Sequence, residues 1–520
     1  MEPEATWLPY DSQLAHYWSM EPGDDLQLAN WTTEEEAAVL WAHHSLAVDS
    51  AGDQLVEYAE AATTTPPMAI VPMENSAHQE LEVDLHNMVL KIHTDPIHTF
   101  EKVAWEYKLD VDMMKMRIHR YPPSIRALGE LYTAPTTVSI GPYHHGRAHL
   151  AAAEKVKHVA AYHCIRESGR SVQEVYDAVV SAAADARRLY DGAGAVYDDG
   201  EFFPMMFFDA CFLVQYMLTC TDAGTEKMDP ALRSFFDAND NDVFRDIMLL
   251  ENQLPWRVVE AVMAFRPVPV AEFVASLRGC LQDRKDYNSD DESERPFALD
   301  EGAPHPHLLG LLRFHIVGRS AARPPALPET DAISFSVSTI ELAEIGVRLA
   351  AHRSTTELIH MGLKKTGNLF AELSLAPLSL DGTRASLLVS MAALELCETP
   401  SFQDADDEDS AVCSYLLLLG MIVDREEDVH ELRRRRILQG GGGLTNGEAL
   451  AFLTRLQGLR LGSRYVRTME EIEDYKVKRK TRTKLHAFLY KNIKTIITVV
   501  SAVAALVGIV GTLKSLKVIH

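Results

Sequence analysis

A run of uncharged, mostly apolar residues from Ile496 to Leu513 (IITVVSAVAALVGIVGTL) constrains this chain more than any other feature. As a helix rising about 1.5 Å per residue it reaches about 27 Å, close to the roughly 30 Å hydrocarbon core of a bilayer. A membrane span and a helix buried in a protein core both accommodate such a run, and the buried helix normally uses only about 10 to 14 residues. Length therefore favours the span. Every charged residue just before the run is basic: Lys476, Lys478, Arg479, Lys480, Arg482, Lys484, Lys491 and Lys494. Segments rich in Lys and Arg stay cytosolic, and Lys514, Lys517 and His520 are too few to compete. The expectation is a single-pass anchor with the body in the cytosol, membrane lipid as a partner through the C-terminal helix, and the eight basic residues on the membrane surface.

Charge is divided along the chain. The net charge is −25, yet residues 476–520 hold ten Lys and Arg and no acid, which leaves −35 on residues 1–475. An acidic body argues against nucleic acid as a partner. The six cysteines (Cys164, Cys211, Cys220, Cys280, Cys397 and Cys413) show no CxxC spacing and read as thiols in a reducing compartment. The opening MEPEATWLPYDS has neither a basic nor an apolar leader region, so a tail anchor is expected rather than a secretory signal. Asn30-Trp31-Thr32 is a sequon that carries a glycan only if the body is lumenal.

The expected organisation is an acidic, Trp-containing segment over 1–80, a helical body over 81–475, a basic juxtamembrane segment over 476–494, the anchor over 495–513 and a short tail over 514–520. In the first segment Thr32 or Thr33 caps a helix beginning with Glu34 to Glu36. Leu81 to Leu109 reads as two amphipathic helices broken near Pro96. Thr136 to Ile140 is β-branched and reads as a short extended segment, while the Ala-rich stretch Leu150 to Tyr190 fits two helices stopped at Asp191-Gly192-Ala193-Gly194. Phe202 to Cys220 is the most apolar stretch of the body, but Asp209 at its centre would cost about 2.5–3.5 kcal/mol in a bilayer, so it reads as a buried helix. Residues 282–306 and Gln403 to Ser410 are charged loops, Ser338 to Ala351 is an amphipathic helix, and Ser414 to Val423 is a short buried helix. The glycines Gly440 to Gly443 stop the basic turn Arg433 to Arg436, and helical pattern continues from Glu448 to Lys494. The fold class is mainly α: a large multi-helix globular body with acidic loops and a single C-terminal transmembrane helix.

Six stretches, in this order and spacing, resemble the plant domain-of-unknown-function 247 family. They are Val138 to Gly146 (VSIGPYHHG), Met205 to Leu213 (MMFFDACFL), Asp246 to Pro255 (DIMLLENQLP), His307 to Arg313 (HLLGLLR), Ile340 to Val347 (IELAEIGV) and Glu427-Asp428-Val429. The resemblance runs from about Ile118 to the anchor. It implies a plant protein of mainly helical fold with one C-terminal membrane segment, and because some grass members are linked to pollen-side self-incompatibility it also implies a recognition role. The chain departs from the family pattern at Ala210, at Gln215 and over Ala385 to Leu396.

The candidate polar cluster is His144, His145, Asp209, Glu251, Asn252 and Gln253. Its plainer reading is structural. Pro255 suits the first turn of a helix and leaves carbonyls of the preceding helix in need of donors, which the amides of Asn252 and Gln253 supply, while Glu251 pairs with Arg257 or Arg245. Asp209 is then a buried, paired carboxylate. A catalytic reading asks His144, Asp209 and Glu251 to converge on a cleft as acid and base. His144 and His145 lack ligands at metal-binding spacing, as do His305, His307 and His315, so neither a metal nor a cofactor is expected. No phosphate-binding glycine loop or nucleophile elbow is present, and no small-molecule ligand is indicated. Arg433 to Arg436 is either a solvated helix face or a contact for an acidic partner or lipid headgroups. Two functions stand side by side: a non-enzymatic, membrane-anchored recognition or signalling protein with an unidentified protein partner, or a hydrolase- or transferase-type enzyme using the His/Asp/Glu set.

Overall fold

The chain enters its core at Ile118, fully buried, whose N–H donates to the Leu189 carbonyl at 2.8 Å. The computed structural model describes residues 100, 113–191, 196–222, 228–281, 299, 305–319, 337–352, 357–366, 370–402, 405–439, 443–478 and 480–517, all within the unit Phe100–His520. The segment 1–80 with its expected helix and sequon, the helices expected over Leu81 to Leu109 apart from Phe100, the stop at residues 192–194 and nearly all of the loop 282–306 lie outside the described residues.

Two short helices, α1 (Pro123–Arg126) and α2 (Glu130–Thr133), precede the Ala-rich stretch, which folds as the expected pair α3 (Ala151–Ser168) and α4 (Val172–Ala183). Gly169 ends α3 in a left-handed conformation, φ +67°, and Ser171 with Glu174 closes a capping box that starts α4. The apolar stretch becomes α5 (Asp199–Thr219), capped by the Asp198 carboxylate on Glu201 N–H and packed against α3 and α4. After it come α6 (Pro230–Ile247), α7 (Trp256–Met263), α8 (Val270–Leu281) and α9 (Leu308–Val317). Helix α7 also packs on α4 and α5, so α5 lies among α3, α4 and α7, with α6 and α8 touching it as well, and its large apolar side chains join the core.

The C-terminal half contains α10 (Thr339–Glu344), β1 (Val347–Ala351), β2 (Gly362–Thr366), β3 (Phe370–Leu375), β4 (Leu378–Ser379), α11 (Gly382–Glu398), α12 (Ala411–Ile422), α13 (Glu426–Arg434), β5 (Leu438–Gln439), α14 (Asn446–Arg455), α15 (Ser463–Lys478) and α16 (Lys480–Lys517). Helix α11 contacts α2, α6, α9 and α12, and so joins the two halves into one core. Its Ser386, Ser390 and Glu395 are buried along with its apolar residues.

Three expectations are corrected here. Ser338 to Ala351 is not one helix: α10 ends by Ile345, Gly346 turns the chain at φ +84°, and β1 follows with Val347 and Leu349 buried and Arg348 exposed. That alternation has a period of two, so the residues face a sheet rather than a helix partner. Strand β1 runs parallel to β3, which pairs antiparallel with β2 in the order β1-β3-β2, while β4 and β5 form a separate parallel pair. Gly440 to Gly442 lie outside the described residues, and the basic turn is closed before them. Helix α13 already ends at Arg434, with Arg436 at φ +60° and Ile437 N–H reaching back to the Leu432 carbonyl at 3.0 Å, a Schellman closure that leads directly into β5. The end of the acidic stretch Gln403 to Ser410 is not solvated: Asp407–Ser410 is a 3₁₀ turn, and buried Asp407 accepts from Ser463 Oγ at 2.8 Å and pairs with Arg467.

Two helices among the described residues are long and apolar enough to cross a membrane, Asp199–Thr219 within α5 and the window Asn492–Ile509 within α16. They differ in surroundings. The first window is 78% buried inside the body, whereas none of the second is buried although its mean hydropathy is 1.9. Ile497, Val500, Val503, Val507 and Ile509 all stand exposed on it.

Candidate functional site

Thr136 to Gly141 runs through the core without becoming a strand, so its backbone N–H groups need partners other than a sheet ladder. Side chains supply them. The Asp246 carboxylate at the end of α6 accepts from Thr136 N at 3.0 Å, Thr137 N at 2.6 Å and Val138 N at 2.9 Å. Asn252 Oδ1 accepts from Ile140 N at 2.7 Å, and Asp209 Oδ2 on α5 accepts from Gly141 N at 2.8 Å. Asn252 Nδ2 donates in return to the Val138 carbonyl at 3.0 Å and to the Asp246 carbonyl at 2.9 Å. The VSIGPYHHG and ENQLP stretches are thus two halves of one hydrogen-bonded clamp.

The turn after α6 is held as its amide side chains predict. Gln253 Nε2 donates to the Ile247 carbonyl at 2.7 Å and to the Leu249 carbonyl at 2.9 Å, while its Oε1 accepts from Leu309 N at 3.0 Å in the first turn of α9. Pro255 stands at the N-cap position of α7, just before its first turn. The Glu251 partner differs from expectation. Neither Arg257 nor Arg245 takes it: Glu251 Oε1 accepts from Arg126 Nη2 at 2.9 Å and from Tyr121 N at 2.8 Å, and Arg245 turns to Asp246 at 3.0 Å. Residues remote in sequence supply these partners because the clamp closes onto α1 rather than onto its own helix.

Asp209 is 1% exposed and pairs with Lys157 Nζ at 2.7 Å, which also reaches Glu154 Oε1 at 2.6 Å and Ser139 Oγ at 3.1 Å. Burial raises the Asp209 carboxyl, an effect that Lys157 and the Gly141 amide offset only in part. Burial works against the Lys157 ammonium as well, but Asp209 and Glu154 outweigh it and raise its pKa, so the lysine stays charged and the pair is ionic.

His144 is 2% exposed and lies 3.8 Å from Glu251 Oε2. Burial, followed by the nearby Arg147 and Arg120 charges, lowers its pKa to about 3, so the ring is neutral near pH 7 and the approach is not an ion pair. The structure therefore brings His144 next to Glu251 and gives Asp209 to Lys157 instead. His145 is half-buried and packs edge-on against Tyr197 at 5.7 Å. His307 caps α9 through Nδ1, accepting from Gly310 N at 3.2 Å, and burial brings it to about 3. Among the described residues no group of three or more His, Cys, Asp or Glu is placed to hold a metal ion.

Of the juxtamembrane residues, Lys476 pairs with Glu473 at 3.4 Å and Lys478 with Asp474 at 2.5 Å near the end of α15. Lys480, Arg482, Lys484, Lys491 and Lys494 follow along α16, and Arg479 lies outside the described residues.

Asp246, Lys157, Tyr121 and Arg126 were not singled out by sequence reasoning, although Lys157 left a signal. It falls on the stripe Ala153, Val156, Ala160, Ala161 and Cys164 that α3 buries, and a lysine on such a face needs an acidic partner. Gly141 is equally constrained: φ is +73°, and a Cβ there would lie 2.8 Å from the Gln253 carbonyl oxygen and 3.1 Å from the Tyr190 hydroxyl. Gly141→Ala is expected to destabilise by roughly 2–5 kcal/mol, combining left-handed strain with overpacking. Gly146 has φ +77° but open space around it, so Gly146→Ala costs only about 1–2 kcal/mol. Urea unfolding of the two full-length variants in neutral detergent, followed by circular dichroism, measures the gap. Equal losses would mean that the clamp has slack at Gly141.

Comparison with known proteins gives a consistent picture. The model of a family described as a plant protein of unknown function, DUF247, matches residues 118–510. A curated UPF0481 protein of Arabidopsis thaliana is 24% identical over 357 residues, covering 64% of this chain and 71% of its own length. No solved structure matches the chain.

Proposed function

Because this chain belongs to the DUF247 family of plant proteins of unknown function, we propose that it is a membrane-tethered recognition or signalling protein that acts by binding rather than by catalysis. The observation that carries the reading is the window Asn492–Ile509, apolar and wholly unburied. A helix apolar on every side is stable when a core or a bilayer surrounds it, and no core surrounds this one among the described residues. The family match extends to residue 510 and so takes in the whole window. The basic residues from Lys476 to Lys494 then lie at the cytosolic leaflet, each contributing about 1 kcal/mol of attraction to anionic lipid.

Supporting a binding role, the motif residues Asp209, Glu251, Asn252 and Gln253 spend their polar atoms on backbone groups and on the cations Lys157 and Arg126. They hold a scaffold in shape, and in this reading the acidic surface of the body meets the protein partner.

The test is fractionation of the full-length chain from microsomes. It is expected to resist carbonate extraction, to become soluble when residues 495–520 are deleted, and to be digested by protease added outside sealed vesicles while Asn30 stays unglycosylated. Extraction of the intact chain by carbonate would remove the anchor. A protease-protected body, or a glycan on Asn30, would reverse the orientation and place the recognition surface outside the cytosol.

A further inference from the structure

A cleft of about 450 Å³ opens between α10, the first residues of β1 and α13, and four arginines line it: Arg348, Arg425, Arg434 and Arg435. On a chain whose first 475 residues carry −35, that concentration of guanidinium groups is a local reversal of charge. We propose that this cleft binds a phosphate monoester carried on a lipid headgroup. The lipid source rests on the membrane-tethered reading above, while the phosphate chemistry rests on the cleft alone.

The arginines are arranged for an anion. Arg348 projects from β1 and lies over the Phe370 ring at 4.4 Å, a stacking that fixes the guanidinium plane and leaves its N–H edge open. It has no ion-pair partner among the described residues. Arg434 and Arg435 share a single carboxylate, Glu431, which receives Arg434 Nε at 2.7 Å and Arg435 Nε at 2.7 Å. One negative charge thus orients two positive ones, and Arg435, engaged through Nε alone, keeps its terminal nitrogens for a further acceptor. The carboxylate of Asp428 is occupied by the Thr339 hydroxyl and by the amides of Asp424 at 3.0 Å and Arg425 at 3.1 Å. Glu427 is the exposed acid at the rim. Guanidinium forks match phosphate oxygens in pairs, and a phosphate monoester brings about −1.5 to −2 charges with three acceptor oxygens near neutral pH. The volume falls within the roughly 300–1,000 Å³ range of small-ligand sites.

Position selects the lipid as the carrier. Thr339, Ile340 and Ala343 of α10 form one wall of the cleft, and α10 also packs against α16, the helix that carries the apolar window. In the membrane-tethered reading, a site beside that helix lies near the headgroups.

The full-length chain in neutral detergent is titrated by calorimetry with four probes: short-chain phosphatidylinositol monophosphate, short-chain phosphatidylcholine, inorganic phosphate and an acidic peptide without phosphate. The phosphorylated headgroup is expected to bind, phosphatidylcholine to show no heat at the same concentration, and inorganic phosphate to bind at least 10-fold more weakly. Arg348→Gln and Arg435→Gln should each weaken the headgroup by 10-fold or more, Arg348→Lys by less, and the surface change Lys155→Gln not at all. Both arginines are solvent-facing, and unchanged melting curves will show that the variants fold. No headgroup binding, or binding that both glutamine variants leave intact, overturns the site. Inorganic phosphate binding as tightly as the headgroup overturns the lipid source, and an acidic peptide binding as tightly overturns the phosphate. Because the titration is done in detergent, it fails or succeeds independently of carbonate extraction, which tests the anchor.

Discussion

Replacing Asp209 with alanine is expected to destabilise the folded body by about 3–5 kcal/mol, enough to consume a large part of a typical domain's stability. The loss comes from what is left behind. Lys157 is fully buried on α3, and without Asp209 its ammonium keeps only Glu154 and Ser139, while the Gly141 amide loses its acceptor. Asp209→Asn retains an oxygen for Gly141 and should lose less. The double variant Asp209→Leu with Lys157→Met removes both charges and refills the space with apolar atoms, so it should recover much of the stability that either single variant loses. Urea unfolding of the wild type, Asp209→Leu, Lys157→Met and the double variant, all full-length in neutral detergent, forms a double-mutant cycle. A double variant as unstable as the sum of the singles would show that the pair is not the reason for the loss.

Helices were legible where the determinants are local. The pair α3 and α4, the buried α5 and the apolar window of α16 all follow from periodicity, caps and run length within about 20 residues. The sheet was not legible for a physical reason. The apolar positions Ile340, Leu342, Ala343, Ile345, Val347 and Leu349 satisfy helical spacing well enough to continue α10, and only the positive φ at Gly346 separates a helix from a strand. Strand β1 is stabilised by β3, whose sequence lies beyond β2, and no window around residue 347 contains that partner.

The polar cluster was half legible. The donors for the turn after α6, Asn252 and Gln253, act on carbonyls a few residues away, so the position of Pro255 is enough to point to them. Glu251 acts across the chain, on Arg126 and Tyr121, and local reasoning offered it the nearest arginines instead. Asp246 escaped notice because its acceptor role depends on an irregular segment 110 residues away that looks, by composition, able to satisfy itself in a sheet. His144 and Glu251 do meet, but burial keeps the histidine neutral and Arg126 holds the other carboxylate oxygen, so their approach at 3.8 Å is not an ion pair.

The stretch Ala385 to Leu396, which departs from the family pattern in sequence, carries the second large effect. Glu395 is fully buried on α11; its Oε1 accepts from Arg313 Nη2 at 2.8 Å and from Val412 N at 2.9 Å, and its Oε2 accepts from Cys413 N at 2.8 Å. One carboxylate therefore neutralises an arginine from α9 and caps the first turn of α12. Burial raises the carboxyl, and Arg313 with the two amides partly offsets it. Glu395→Ala is expected to cost about 3–5 kcal/mol for the stranded Arg313 charge, with a further 1–3 kcal/mol for each buried amide left without an acceptor. Glu395→Gln should be only slightly milder, because its NH2 group places a donor against a donor at one of its three contacts. Here the apolar double replacement, Glu395→Met with Arg313→Met, should restore far less stability than in the Asp209 and Lys157 pair, since two buried amides, Val412 and Cys413, stay unpaired in a core helix against the single Gly141 amide there. Larger recovery in the Asp209 cycle than in the Glu395 cycle is the expected pattern. Equal recovery in both would mean that α12 satisfies its own first turn, and that Glu395 serves only to balance Arg313.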